Sequence, residues 1–152
     1  MSWNIIRLAQ VAPSRWRNGG GMTRELLAWP DSVDWVWRMS VAEVTASGPF
    51  SRFDGVRRWF AVLSGAGVRL TIDGHSHDLT SDSAPLCFDG ASAVDCQLLD
   101  GATQDFNLML RSDRASAQME RVSGQLNLDT SVSIVVAVYA MEEGATVHFN
   151  HE

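Results

Sequence analysis

Short segments of apolar or alternating residues recur about every ten to fifteen residues along this chain, with glycine-bearing turns between them. Convincing helical periodicity is absent. This spacing predicts an all-β protein built as a sandwich or a barrel. The six clearest candidate strands are 35–44, 58–63, 68–73, 94–99, 106–111 and 132–141.

Two of these segments carry more specific predictions. Asp73-Gly74 favours a type I′ turn, because both residues tolerate positive φ, so we expect the segments on either side to pair as a hairpin. The last segment, 132–141, is apolar at nearly every position. A strand covered on both faces has this pattern, and a buried helix is the alternative.

Length and charge limit the classes of function. A chain of 152 residues with 45% apolar residues can bury one sizeable core, so we expect a single domain over 1–152. The formal charge of -6 argues against a nucleic-acid partner, which would need clustered Lys and Arg. No segment has the pattern of a signal peptide or a membrane span. We therefore expect a soluble, cytoplasmic protein without a membrane partner.

The stretch 16–25 contains three consecutive glycines, which permit backbone conformations and close approaches that side chains would block. We interpret it as a loop able to wrap a ligand, with polar groups from Asn18, Thr23 and Glu25. The alternatives are a mobile surface loop or a bulge at a sheet edge. The glycines fit no nucleotide-binding pattern.

Alternation along two candidate strands places polar side chains together. On 35–44, Arg38 and Ser40 share the face that could line a small polar cavity. Asp105 and Asn107 lie on one face at the start of a later strand. Such a pair can fix an amide or hydroxyl of a ligand, although turn capping would explain Asp105 equally well.

Strands and turns alternate in the order strand, Gly-x-Gly, strand, Asp-Gly, strand, Phe-Asp-Gly. This order resembles the first half of a cupin barrel. Cupins place His and Glu ligands for a divalent metal just before and within that first strand. The corresponding positions here fall on Phe50 to Phe53 and on Arg57 or Arg58, none of which is a metal-binding residue type. We therefore expect no metal and no other cofactor.

An arginine near the place of a metal-binding glutamate suggests a different ligand. A guanidinium presents a planar fork of donors that matches a carboxylate. Arg58 is thus the predicted anchor for a small acidic metabolite. A structural ion pair between Arg58 and Asp54 or Asp105 is the alternative.

Four blocks in order, 16–25, 37–42, 48–58 and 105–107, together resemble the HutD/Ves family. The resemblance implies a cupin-type (RmlC-like jelly roll) β-barrel or sandwich. It covers 1–111 well and 112–152 only as a partial second half, which would make the second half-barrel truncated. An open sheet edge would then favour a homodimer.

The family also suggests a role. For HutD-type members it implies a small-molecule-responsive modulator of histidine utilisation with a ligand such as N-formylglutamate, and for Ves-type members a stress response. We expect a ligand-binding protein rather than an enzyme, since no nucleophile and base stand out. The alternatives are a metal-independent cupin isomerase or hydrolase using Glu25 or Asp105 as base, and a protein-interaction module. The predicted ligand-binding residues are Asn18, Thr23, Glu25, Arg38, Ser40, Arg58, Asp105 and Asn107.

Overall fold

A computed structural model describes residues 3–129, 134–141 and 144–148. Within these ranges the chain forms strands and one short 3-10 turn at Leu8–Gln10, and no α-helix. The all-β prediction is therefore confirmed. The strands, in order, are β1 Ser14–Arg15, β2 Gly21–Trp29, β3 Trp37–Val44, β4 Gly48–Pro49, β5 Val56–Ser64, β6 Val68–Ile72, β7 His75–Leu79, β8 Leu86–Asp89, β9 Val94–Leu98 and β10 Thr103–Arg111.

The strands form two antiparallel sheets. The first has six strands in the order β1-β2-β3-β10-β5-β8, and the second has four in the order β4-β9-β6-β7. Strand β10, the last strand in the described part of the chain, lies in the larger sheet between β3 and β5. Residues far apart in sequence therefore become cross-strand neighbours there.

The main core lies between the two sheets. Val44, Phe60 and Val62 of the six-stranded sheet belong to one buried cluster with Val68 and Leu70 of the four-stranded sheet. Alternation along each strand sends these side chains to one face, and burying each stabilises the fold by roughly 1.5–3 kcal/mol. The fold is a sandwich of two sheets.

Most predicted strands are present within a few residues of their expected bounds, and the Asp73-Gly74 hairpin is confirmed. Asp73 and Gly74 have φ of +48° and +85°, and β6 and β7 pair around them, with Ile72 opposite His75. The predicted loop at 16–25 is shorter than expected. The turn ends at Gly20, and β2 begins at Gly21.

The strand predicted at 132–141 is wrong over the part that the structure describes. Residues 134–141 have no regular secondary structure, and Val135 is 73% exposed. Positions 132 and 133 lie outside the described residues. An apolar run forms a strand only where another strand supplies backbone partners, which the sequence of the run does not specify.

The chain divides into two compact units, Met1–Arg121 and Val122–Glu152. All ten strands belong to the first unit. In the second, the described residues have no regular secondary structure. Among the described residues, no helix is long and apolar enough to cross a membrane.

Candidate functional site

Seven of the eight predicted ligand-binding residues lie on one face of the six-stranded sheet. Residues directly opposite one another in an antiparallel pair share a face. Ser40 is opposite Glu25 on one side and Asn107 on the other, and Met109 of β10 is opposite both Arg38 and Arg58. Phe60, opposite Asn107, belongs to the core between the sheets, so this face is the inner one. The seven residues are Thr23, Glu25, Arg38, Ser40, Arg58, Asp105 and Asn107.

Arg58 is the central cation of this face. Its side chain projects from β5 into the interior, and the residue is 6% exposed. Its Nη2 donates a hydrogen bond of 3.0 Å to Oδ1 of Asn107 on the neighbouring strand. Its Nε is buried and has no hydrogen-bond partner among the described residues. Part of the donor fork is therefore unsatisfied.

Three phenylalanine rings surround the Arg58 guanidinium. Its Cζ lies 5.3 Å from the ring centroid of Phe50, 5.7 Å from that of Phe53 and 5.3 Å from that of Phe88. A cation within about 6 Å of an aromatic face is attracted by the negative electrostatic potential of the ring. The rings hold the guanidinium in place without neutralising its charge.

The charge of Arg58 has no acidic counterpart in the structure. No carboxylate of the described residues forms an ion pair with it, so the alternative pairing with Asp54 or Asp105 is not observed. Burial lowers its pKa to about 10, and the nearby positive charge of Arg38 contributes. At neutral pH the side chain remains protonated, which leaves a buried positive charge facing the interior.

Arg38, on the same face, is already paired. Its Nε lies 2.8 Å from Oε1 of Glu25, and the other carboxylate oxygen of Glu25 accepts a hydrogen bond of 2.7 Å from the hydroxyl of Ser32. Both carboxylate oxygens of Glu25 are therefore engaged. The pair fixes one edge of the polar face and leaves Arg58 as the incompletely bonded cation.

Asp105 is fully buried, at 0% exposed, one pleat along β10 from Asn107. Its Oδ2 accepts a hydrogen bond of 2.8 Å from the hydroxyl of Thr103, while its Oδ1 has no partner among the described residues. Burial raises the pKa of this carboxyl to about 7, and the Thr103 hydrogen bond opposes the shift. Turn capping does not explain Asp105, because its hydrogen bond is to a side chain within the strand.

Two further predicted residues, Asn18 and Thr23, have local structural partners. The Oδ1 of Asn18 accepts a hydrogen bond of 2.9 Å from the backbone N–H of Gly20, in the exposed turn before β2. The hydroxyl of Thr23 accepts one of 2.8 Å from Nε1 of Trp16. Asn18 does not lie on the inner face, and Thr23 lies at its edge.

The residue types on this face do not fit a cupin metal. Two guanidinium groups and three phenyl rings occupy the region, and Asn107 already accepts a hydrogen bond from Arg58. Within the described ranges no group of three His, Cys, Asp or Glu residues is placed to hold a metal ion. The arrangement suits an anion.

The sequence did not predict the aromatic cage as part of the site. From the sequence, Phe50 and Phe53 are predicted only to replace metal ligands, and no role is predicted for Phe88. The sequence does contain a signal for these contacts. Phe50 and Phe53 stand at the positions expected for metal ligands, just before the strand that carries Arg58, and such an arrangement is compatible with cation–π contacts. Phe88 joins them because β8 pairs with β5 and places it opposite Arg58.

The structure also has two surface depressions. One is bordered by Pro49, Arg52 and Thr71, together with Phe50 of the Arg58 surroundings, and the other by Ser47, Arg69 and Gln97. Both border the four-stranded sheet, and neither is lined by Arg58, Asn107 or Asp105. We favour the inner face as the site because Arg58 and Asp105 are buried there and each has an unbonded polar atom, whereas Arg69 is exposed and pairs with Asp78 at 2.7 Å.

Sequence comparison relates the chain to a protein of a hutC 3′ region and to a Ves protein. It is 38% identical over 136 residues to an uncharacterised 21.2 kDa protein in the hutC 3′ region of Pseudomonas putida, covering 87% of this chain and 70% of that protein. It is 37% identical over 107 residues to protein Ves of Escherichia fergusonii, covering 68% of this chain and 56% of that protein.

Solved structures of other proteins have folds similar to that of this chain. HutD from Pseudomonas fluorescens SBW25, determined in a formate condition, matches with a TM-score of 0.65 and 37% identity over 69% of this chain and 58% of that one. A cupin domain of a transcriptional regulator from Enterobacter cloacae matches with a TM-score of 0.51 and 17% identity, over 60% of this chain and 96% of that one. The second match shows the fold alone, and that fold is cupin-type.

The chain spans less than two-thirds of the length of both the Ves protein and the solved HutD. A sequence model of the HutD family matches residues 8–152, which is nearly the whole chain. Together with the relatives, this match shows that the chain belongs to the HutD family.

Proposed function

We propose that this protein binds a small acidic metabolite on the inner face of the six-stranded sheet, with Arg58 as the anchor for a carboxylate. The observation that carries the proposal is the state of Arg58. It is a buried cation without an ion-pair partner among the described residues, and its Nε is unbonded. A buried charge is costly unless something compensates it, and a bound carboxylate would do so.

The geometry of the side chains around Arg58 suits a carboxylate ligand. A guanidinium offers two parallel N–H donors, which match the two oxygens of a carboxylate. The hydrogen bond to Asn107 fixes one nitrogen of the fork, and the phenylalanine rings limit its rotation. A preorganised donor loses little conformational entropy on binding.

The names of the relatives suggest the metabolic setting. One lies in a hutC 3′ region and another is named HutD. We infer a modulator of histidine utilisation that responds to an N-formylglutamate-like acid in the cytoplasm. The relation to Ves proteins makes a stress response the alternative setting.

Thermal unfolding of the purified protein tests the proposal. N-formylglutamate, urocanate, glutamate and formate are each added at increasing concentration. An acid present at about one hundred times its dissociation constant stabilises the folded state by about 2.7 kcal/mol, which raises the midpoint by several degrees.

Two arginine variants locate the anchor. Arg58→Lys keeps the charge but removes the fork, so we expect it to abolish most of the midpoint shift. Arg69→Lys makes the same change on the exposed face of the other sheet, and we expect it to respond like the wild type. No midpoint shift with any acid, or an unchanged shift in Arg58→Lys, would reject the proposed site.

Catalysis is the second candidate function. Burial of Asp105 raises the pKa of its carboxyl to about 7, and a carboxyl with such a pKa is suited to act as a general base near neutral pH. Glu25, the other predicted base, is held by Arg38 and Ser32. Mass spectrometry of the same acids after incubation distinguishes the two functions, because binding alone leaves each acid unchanged.

A further inference from the structure

We propose that Asp105 is the second recognition group of the Arg58 site, accepting a hydrogen bond from an N–H or O–H group that the ligand carries beyond its carboxylate. This inference rests on the proposed function and narrows its ligand class. The ligand would be an acid with a hydrogen-bond donor at its other end, rather than a simple carboxylate.

The argument begins with two buried atoms that lack hydrogen-bond partners among the described residues. They are Nε of Arg58, a donor, and Oδ1 of Asp105, an acceptor. They are the only such buried side-chain atoms in the described part of the chain. Buried polar atoms are nearly always satisfied, so an unsatisfied pair of opposite character on one sheet face calls for a common partner.

The two groups do not satisfy each other. Arg58 bonds to Asn107, and Asp105 bonds to Thr103. Asn107, which accepts the hydrogen bond from the Arg58 guanidinium, lies two residues along β10 from Asp105, so the Cα atoms of Asn107 and Asp105 are about 7 Å apart. The proposed ligand extends along β10 from the guanidinium beside Asn107 to the Asp105 carboxyl.

The surroundings of Asp105 leave its free oxygen in the interior. Its cross-strand neighbours are Ala42 and Val62, neither of which has a polar side chain. From the opposite sheet, Cys96 is close enough that the Asp105 carboxylate contributes to its raised pKa, after the larger effect of burial. A thiol is a weak donor and leaves a stronger acceptor available for a ligand.

Matched pairs of acids test the inference. Glutamate is compared with glutarate, which lacks the amino group, and urocanate with 3-(2-furyl)acrylate, whose ring has no N–H. At pH 8, where the Asp105 carboxyl is mostly charged, we expect the donor-bearing member of at least one pair to bind the wild type roughly tenfold more tightly, the effect of one hydrogen bond to a charged group. Affinities are measured by isothermal titration calorimetry.

Variants separate this inference from the proposed function. Asp105→Ala removes the acceptor, and we expect the affinity ratio within the responsive pair to fall to about one while the donor-free acid still binds. Arg58→Lys should weaken both members equally. Asp95→Asn neutralises an exposed carboxylate on the other sheet and should leave the ratio unchanged.

The possible results have different meanings. If no acid binds to the wild type, the proposed function fails and the inference fails with it. If acids bind but Asp105→Ala preserves the ratio, the inference is overturned and the Arg58 site stands. Should Asp105→Ala not fold, Asp105→Leu takes its place, because its side chain has a similar shape and no acceptor, and an unreduced ratio in that folded variant also counts against the inference.

Discussion

At the scale of single residues, Arg58 and Asp105 are placed where folding alone would not favour them. Each is buried on the inner face, and each has one polar atom without a partner in the described structure. Leaving such an atom unpaired costs about 1–3 kcal/mol. Buried polar atoms without a hydrogen-bond partner concentrate at functional sites, where a ligand supplies the missing partner.

Asp105 makes stability depend on pH in a direction opposite to that of most carboxyls. Its pKa is about 7 when folded and close to the ordinary value of 3.8 when unfolded. As the pH rises, the carboxyl therefore loses its proton in the unfolded state before it does so in the folded state. The contribution of this group to the free energy of unfolding is fully present below pH 3.8 and is lost as the pH rises from 3.8 to 7. The loss is on the order of 4 kcal/mol.

Substitution Asp105→Asn removes that dependence. We expect the variant to gain stability relative to the wild type when the pH is raised from 4 to 8, as measured by urea unfolding at both values. Any effect of the new amide on the free energy of unfolding that does not depend on pH cancels in this comparison. Asp95→Asn, exposed on the other sheet, is the control, and equal pH profiles for wild type and Asp105→Asn would refute the assignment.

Residue positions in the site were largely predictable, but their partners were not. Strict alternation placed Arg38 with Ser40, and Asp105 with Asn107, because each pair lies within one strand. The hydrogen bond between Arg58 and Asn107 joins residues 49 apart in sequence, and it depends on β10 inserting between β3 and β5. No local pattern specifies that insertion.

At the scale of elements, the hairpin of β1 and β2 and its packing against β3 explain two of the three consecutive glycines, Gly19 and Gly21. Gly19 occupies a positive φ of +75° in the turn. Gly21 begins β2 where a Cβ atom would lie 2.4 Å from the backbone oxygen of Glu43 and 3.1 Å from the Trp16 ring. The close backbone approach predicted for this stretch is therefore present, as a sheet contact rather than as a ligand-wrapping loop.

Gly21→Ala should destabilise the protein by about 2 kcal/mol, because a methyl group there would push β2 away from β3. The midpoint of urea unfolding gives the measurement. Gly48→Ala is a matched control in another strand, since a Cβ at Gly48 meets no atom within 4 Å and its φ is not positive. Equal effects of the two substitutions would contradict the packing argument.

The apolar run 134–141 shows where element prediction failed. Its composition is that of a covered strand. Ile134, Val135 and Val138 are nevertheless 49–73% exposed, and they belong to no strand. Whether a segment forms a strand depends more on the neighbouring strand that pairs with it than on its own composition. By contrast, β6 and β7 were predictable because the Asp73-Gly74 turn supplies each with its partner.

At the scale of the whole molecule, the fold and the candidate site belong to the same compact unit. Every strand, both clusters of the core and the seven inner-face residues lie before residue 112. The unit ends at Arg121, whose side chain donates hydrogen bonds to the backbone oxygens of Ser83 and Val62. The interactions that define the site are therefore internal to Met1–Arg121.

A chain ending at Arg121 should keep the sandwich and the response to acids. We expect a β-rich far-UV circular dichroism spectrum, one cooperative thermal transition, and the same rise in midpoint with the best acid as in the full chain. The matched control is Arg121→Ala in the shortened chain, which removes the terminal hydrogen bonds and should lower the midpoint. If the shortened chain does not unfold cooperatively, Val122–Glu152 contributes to the folding of the sandwich itself, and ligand binding must be assigned to the whole chain.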